Sequence, residues 1–210
     1  MVLHGEEINI RQMIESNRTL IGKIYSEDSR KISNRTGFDL LLVGDAGYGE
    51  TGFLSMERII GYFKEYFAEG AIFYDLGCGT GKIVYHVGIG YPVKKSCGIE
   101  FSKERCETAA RIAKKYGIAS DRISIVNKNI LNCDISDATV IYMDNTLFPK
   151  HITEKIYDMV PDGCLVISRA RISKRIPTTN DIQSDISNKV GYSIMSEYGG
   201  SSLFMMIRKR

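Results

Sequence analysis

The chain has 210 residues, 43% hydrophobic and 25% charged, a balance that excludes a disordered chain and fits one α/β domain with a buried core. With 28 basic residues against 25 acidic ones, the net charge of +3 is too even to announce a nucleic-acid partner by itself. No apolar run approaches the ~20 residues of a membrane span. Met1–Ile10 has two glutamates and no apolar stretch after a basic region, so a soluble intracellular protein is expected. The five cysteines contain no C-x-x-C and the three histidines are scattered, which argues against a disulfide framework or a metal site.

In chain order, Ile8, Ile10, Met13, Ile14, Leu20, Ile21 and Ile24 recur at helical spacing, predicting one or two amphipathic helices over 6–25. A polar loop follows over 26–36, then a short apolar run, Phe38–Val43. Residues 44–52 hold four glycines in nine positions and must be a loop. Phe53, Leu54, Met56, Ile59, Ile60, Phe63 and Phe67 place a helix over 53–67. Strand and helix then alternate: strand 71–76, helix 82–90, strand 96–100, helix 102–116 with Ser102 as N-cap, and strands 123–126 and 139–143. A helix over 151–160, stopped by Pro161-Asp162-Gly163, and a strand over 164–168 complete the series. Tyr192–Met195 and Leu203–Ile207, separated by Gly199-Gly200, are read as a closing hairpin. The alternation implies a mainly parallel sheet with right-handed crossovers, whose ligands bind beyond the carboxyl ends of the strands. Residues 1–44 are taken as a small N-terminal helical extension and 45–210 as the domain proper.

The most informative stretch is Asp75-Leu76-Gly77-Cys78-Gly79-Thr80-Gly81-Lys82, where a strand passes into a helix. Its glycines permit a tight turn and close approach of a ligand to the backbone. The spacing is G-x-G-x-G after an acidic residue, not G-x-G-x-x-G. The next strand ends in Glu100, nineteen positions beyond Gly81, where a carboxylate can accept both hydroxyls of a ribose.

This set resembles the S-adenosylmethionine (SAM) site of the Rossmann-like class I methyltransferases. The resemblance implies a mainly parallel seven-stranded sheet with a C-terminal hairpin. It also implies Asp75 near the methionine amino group, Gly77 and Gly79 along the ligand, and Glu100 on the ribose. The third strand's end offers Asn127, Asn129 and Ile130 for the adenine; of these Asn129 and Ile130 are taken. Tyr48-Gly49-Glu50-Thr51, the V-I-Y-M-D-N-T-L-F stretch through Asp144, Asn145 and Phe148, and D-G-C-L-V-I-S narrow the resemblance. Together with the glycine motif and G-I-E they are similar, in order, to the disruptor-of-telomeric-silencing (Dot1) family, which methylates a lysine on the globular core of histone H3. Three departures stand out: Asp144 for the first Asn of an N-N pair, Lys82 for a Gln, and no Trp near the C-terminal end.

Membership would make Tyr48, Thr51, Asp144, Asn145 and Phe148 the residues around the target amine, with Glu50, Thr51, Lys82 and Asp144 also reaching the cofactor. Methyl transfer from a sulfonium is an in-line displacement, in which the protein mainly positions the two partners. No dedicated general base stands out, which suits a proton that leaves to solvent. The cations Arg169, Arg171, Lys174 and Arg175 are the candidate dock for an acidic histone surface or for DNA phosphate. The expected protein is therefore a monomeric, metal-free lysine methyltransferase of nucleosomal histone H3. It would act at chromatin in a eukaryotic nucleus, in a host nucleus if it is viral, and otherwise in the cytoplasm. Asp144-Asn145 also resembles the [N/D]-P-P-[F/Y] signature of enzymes that methylate adenine or glutamine, with Thr146-Leu147 in place of the prolines. An RNA, DNA or other protein substrate is the alternative, and a non-catalytic chromatin- or RNA-binding relative a second one.

Overall fold

A computed structural model of the chain describes residues 2–27, 50–169, 195–196, 199–200 and 204–207. Six strands form the main sheet: β1 (Ile72–Leu76), β2 (Lys95–Glu100), β3 (Ile123–Asn127), β4 (Val140–Met143), β5 (Leu165–Ser168) and, after an intervening pair, β8 (Phe204–Ile207). Their order is β3-β2-β1-β4-β5-β8. The first five run parallel and β8 is antiparallel to β5. The order reverses between β1 and β4, so the carboxyl ends of these two strands flank the crevice where ligands of such sheets bind.

Helices cover both faces, as parallel strands that are apolar on both sides require. The two-residue period divides the core cleanly. Phe73, Val140, Tyr142, Leu165 and Ile167 face Met56, Ile59 and Ile60 of α2 (Phe53–Tyr62), its C-cap Phe63, and Ile83 and Val87 of α3 (Lys82–Gly90). Tyr74, Leu76, Ile141, Met143 and Val166 face Ile156 and neighbours from α5 (Lys150–Met159). Each such fully buried side chain contributes roughly 1.5–3 kcal/mol. Between β2 and β3 runs α4 (Lys103–Lys115), and its expected cap is present: Ser102 Oγ accepts the Arg105 amide at 3.3 Å. Glu104 in its first turn and Lys114 and Lys115 in its last complement the helix dipole.

The N-terminal periodicity resolves as one helix, α1 (Val2–Tyr25). Its later turns pack onto the domain: Ile21 and Ile24 are buried, and Ile24 shares a cluster with Tyr85, Ala109 and Ile112. Asn17 Nδ2 donates to the Ile89 carbonyl at 3.1 Å, capping the end of α3. The boundary expected at residue 44 falls outside the described residues.

The C-terminal expectation needs correction. Met195–Ser196 (β6) pairs antiparallel with Gly199–Gly200 (β7) as a separate two-stranded sheet, and β8 joins β5 with Leu165 opposite Ile207 and Ser168 opposite Phe204. The glycines are therefore in a strand rather than a spacer between two others, and among the described residues the main sheet has six strands, not seven. A short apolar run marks 204–207 as strand but does not say which neighbour it joins. Its backbone satisfies the edge that β5 presents. The helix expected over 53–67 ends at Tyr62 and tightens into a 3₁₀ turn, Lys64–Phe67. Among the described residues no helix is long and apolar enough to cross a membrane, and no group of three or more His, Cys, Asp or Glu is placed to hold a metal ion.

Candidate active site

Parallel register brings the site together. Asp75 lies opposite Gly98 of β2 and Tyr142 of β4, and Glu100 ends β2 one register step beyond Leu76–Ile99. From β1 the chain turns through Gly77, Gly79 and Gly81, with φ of +85°, +56° and +78°, a left-handed run open to glycine and strained for other residues. The turn is pinned from below: the Gly77 and Cys78 amides both donate to the Ile99 carbonyl, at 2.8 and 3.2 Å. Close packing completes it, since a Cβ on Gly77 would stand 2.9 Å from Phe148 Cζ.

Glu100 is buried and held by backbone. Oε2 accepts the Gly79 amide at 2.8 Å and Oε1 the Ser102 amide at 2.7 Å, with Arg105 Nη1 4.0 Å from Oε1. A carboxylate oxygen has two acceptor positions, so each retains capacity for a hydroxyl. Asp75 is the opposite case. It is 2% exposed, yet no hydrogen bond from a described residue reaches its carboxyl. Burial, and then the Glu100 and Asp144 carboxylates, push it well above the usual carboxylate range. A buried acid with no hydrogen bond from the described residues, at the reversal point of the sheet, fits a ligand that brings a cation. Beside it, a carboxylate fixed by two amides fits a ligand that brings hydroxyls. Both features belong to SAM, so these residues fit that cofactor.

The other wall comes from outside this segment. Thr51 is buried, with its Oγ1 2.5 Å from the Tyr142 hydroxyl. Burial and the nearby Asp144 raise the Tyr142 phenol above its ordinary value. Glu50 Oε2 meets Lys82 Nζ at 2.8 Å and its Oε1 accepts Thr80 Oγ1 at 3.4 Å. Asp144 Oδ1 accepts Thr146 Oγ1 at 2.8 Å, capping a 3₁₀ turn over Asn145–Leu147 in which Asn145 is buried. Asp144, Asn145, Phe148, Glu50, Thr51, Asp75, Gly77, Gly79 and Glu100 thus all lie at or beside the carboxyl ends of β1, β2 and β4.

Other candidate residues make contacts within the protein. Lys82, expected on the cofactor, has its ammonium engaged by three protein oxygens. Arg169, expected at a docking surface, turns inward: Nη1 lies 3.1 Å from Asp144 Oδ2 and the side chain is 11% exposed. A carboxylate at the end of the adjacent strand captures it before solvent or a partner can. Asn129 caps a short turn by accepting the Leu131 amide at 3.0 Å, and Ile130 packs beside the lower core. Asn127 reaches the neighbouring strand end instead, its Nδ2 donating to the carbonyls of Glu100 and Phe101 at 3.0 and 2.7 Å. Tyr48, Arg171, Lys174 and Arg175 lie outside the described residues.

Sequence reasoning missed two residues here. Tyr142 carried a signal, a polar ring in a buried strand two positions before Asp144. Tyr25 carried none. It is the last residue of α1, and its phenol meets His86 Nδ1 at 3.1 Å. Burial raises the phenol well above its ordinary value, with Tyr142, Asp75 and Glu50 adding to the shift, which places it beside the site.

Comparison with known proteins agrees with this geometry. The family described as histone methylation protein DOT1 matches residues 42–198. A protein-lysine N-methyltransferase from Saccharolobus islandicus (strain REY15A) is 43% identical over 72 residues, which are 34% of this chain and 44% of that protein, so the match spans less than half of the relative's length. Among solved structures, an RNA methyltransferase from Salinibacter ruber in complex with S-adenosyl-L-homocysteine superposes with a TM-score of 0.55 at 19% identity, over 77% of this chain and 95% of that one. Magnesium protoporphyrin IX methyltransferase from Synechocystis PCC 6803 with bound SAM gives a TM-score of 0.50 at 14% identity, over 78% and 87%. At such identities the likeness is one of fold, and the fold is that of the Rossmann-like class I methyltransferases.

Proposed function

The chain belongs to the family of histone methylation protein DOT1, and from that premise we propose that it is a SAM-dependent protein-lysine N-methyltransferase. The observation that carries the reading is the pair of strand-end carboxyls: Asp75, buried and with no hydrogen bond from the described residues, and Glu100, held by two amides. SAM supplies an electrophilic methyl group on a sulfonium. Asp75 binds its amino group, Glu100 binds the ribose hydroxyls, and the positive-φ glycines let the ligand approach the backbone. The Thr51–Tyr142 contact and the Asp144 turn, with Phe148 over Gly77, wall the place where the target amine enters.

Lys82 and Arg169 are paired to Glu50 and Asp144, so neither cation is offered to a phosphate backbone at this crevice. The name of the Saccharolobus relative supports a lysine substrate. The family's description supports a histone, and we extend the reading to a lysine on the folded core of histone H3 in nucleosomes, hence to chromatin as the place of action. With Arg169 turned inward, docking there would fall to Arg171, Lys174 and Arg175.

Mass spectrometry tests the reading after incubation of the full chain and SAM with nucleosomes, free histones, unrelated folded proteins and RNA. Methyl groups on lysine side chains are expected, most on nucleosomal H3. Methylated lysine in the other proteins but not in H3 would remove the histone target and keep the lysine activity. Methylation confined to RNA would overturn the reading.

A further inference from the structure

Three segments far apart in the sequence meet at one ammonium. Lys82, the first residue of α3, is buried, and its Nζ donates to the Tyr25 carbonyl at 3.2 Å, the Glu27 carbonyl at 2.7 Å and Glu50 Oε2 at 2.8 Å. An ammonium has three N–H donors, so this set fills it. The Tyr25 carbonyl is at the C-terminal end of α1, where the last carbonyls lack intrahelical partners and the helix dipole is negative, and Glu27 lies two residues beyond it. Glu50 is at the same time tied to Thr80 inside the glycine loop.

For α3 alone Lys82 is a poor choice. A cation in the first turn opposes the helix dipole, and a buried ammonium is unfavourable unless paired. What explains it is what it holds. A second fastening runs beside the first: Tyr25 OH meets His86 Nδ1, and His86 Nε2 lies 2.7 Å from Glu57 Oε1, while the ring of Phe53 stacks on His86 with centroids 5.2 Å apart. Tyr25 belongs to both, so the last turn of α1 is fixed by its backbone and by its side chain.

We propose that Lys82 is a positioning residue that couples the docking of α1 to the cofactor pocket. Its ammonium keeps Glu50 against the glycine loop, and the Tyr25 and Glu27 carbonyls at and just after the end of α1 keep the ammonium in place. This rests on the methyltransferase reading of the site. Coupling between two sites is reciprocal. Ligand on the glycine loop therefore tightens the last turns of α1, by the same factor by which docked α1 tightens the ligand.

The test uses the full chain, S-adenosylhomocysteine as probe, calorimetry for affinity, and amide hydrogen exchange with and without the probe. In the parent, binding raises protection over residues 20–25. Lys82→Met weakens binding about 10- to 100-fold, within the usual range of a coupling between sites, and abolishes that gain, while the amides of β1 and β4 keep their protection. The loss of turnover sits in the KM for SAM rather than in kcat. Lys82→Gln, which keeps two N–H donors without the charge, falls between the two. It carries the test alone should Lys82→Met not fold, an unchanged affinity then overturning the proposal. Binding by Lys82→Met within twofold of the parent, or α1 protection that ignores ligand in the parent, would make Lys82 a structural anchor only and leave the methyltransferase reading intact. A parent that does not bind the probe overturns that reading and this proposal with it.

Discussion

The two sides of the crevice are built differently. The floor comes from one strand–loop–helix–strand segment: Asp75, the glycine turn and Glu100 lie within 26 residues, joined by bonds such as Gly79 N–H to Glu100 over a separation of 21. The wall is assembled from distant parts: Thr51 meets Tyr142 across 91 positions, and Lys82 meets the Tyr25 carbonyl across 57. Backbone donors and glycine conformations dominate the floor, side chains the wall. A floor of this kind is fixed once the sheet has formed. The wall depends on the docking of α1 and of the segment carrying Glu50 and Thr51.

The floor breaks hardest at Asp75. Its carboxyl is raised, so the folded protein binds that proton more tightly than the unfolded chain does. Asp75 therefore carries no penalty at pH below its unfolded value and an increasing one as pH rises above it. Asp75→Asn cannot ionise and so removes that ionisation penalty, while remaining a buried polar side chain. At pH 7 the variant is expected to melt a few degrees higher than the parent, at ~2–4 °C per kcal/mol for a chain of this size, and to match it near pH 3. The same change removes the ligand's charged partner and lowers affinity for S-adenosylhomocysteine about 100-fold, the 2–3 kcal/mol of a charge-assisted hydrogen bond. Paired scanning calorimetry and titration read both. A variant no more stable than the parent that still binds would mean that Asp75 has no ligand role.

A gentler probe of the floor is steric. The glycine turn rests on β2 through Cys78, whose Sγ would stand 2.5 Å from a Cβ placed on Gly98, with Val84 Cγ2 at 2.9 Å. Gly98→Ala is expected to destabilise the protein by about 1–3 kcal/mol, as overpacking does. Adding Cys78→Ala should recover part of that loss by removing the sulfur while Val84 stays. Denaturant midpoints of the parent, the single variant and the double variant decide the matter; a double variant no better than the single would place the strain elsewhere.

The same division explains what the sequence made legible. Glycine spacing after Asp75, an acid at the end of the next strand and Ser102 before a helix are short-range signals, and each lands where the spacing puts it. The strand–helix alternation likewise yields the parallel orientation of β1 to β5, though not their order. The wall was illegible for a physical reason. Whether Lys82 faces ligand or protein depends on where the end of α1 falls, and whether Arg169 faces solvent depends on Asp144 across a strand pair. The 204–207 segment shows the limit in the sheet itself, because a short apolar run marks a strand without choosing its partner.

The smallest expected effect tests the wall's second fastening. Glu57 Oε1 meets His86 Nε2 at 2.7 Å and accepts from Tyr91 OH at 2.8 Å, and its Oε2 accepts from Arg18 at 2.9 Å. The His86 hydrogen bond is the main cause that lowers the carboxyl to about 2. A carboxyl whose folded pKa is depressed contributes stability above its unfolded value, near 4.3, and loses it as pH falls toward the folded one. The carboxylate is partly solvated, so the contribution is discounted to on the order of 1 kcal/mol. Glu57→Gln should therefore be less stable than the parent at pH 7 by about that amount, with the gap closing between pH 4.5 and 2. Thermal melts across that window read it. Because Glu57 orients His86, and His86 meets the Tyr25 phenol, the variant should also loosen the last turn of α1 while leaving the floor unchanged. Amide exchange over 20–25 would rise, and exchange over β1 and β2 would not. A pH-independent gap between the two proteins would mean that the ionised carboxylate is not what holds this fastening.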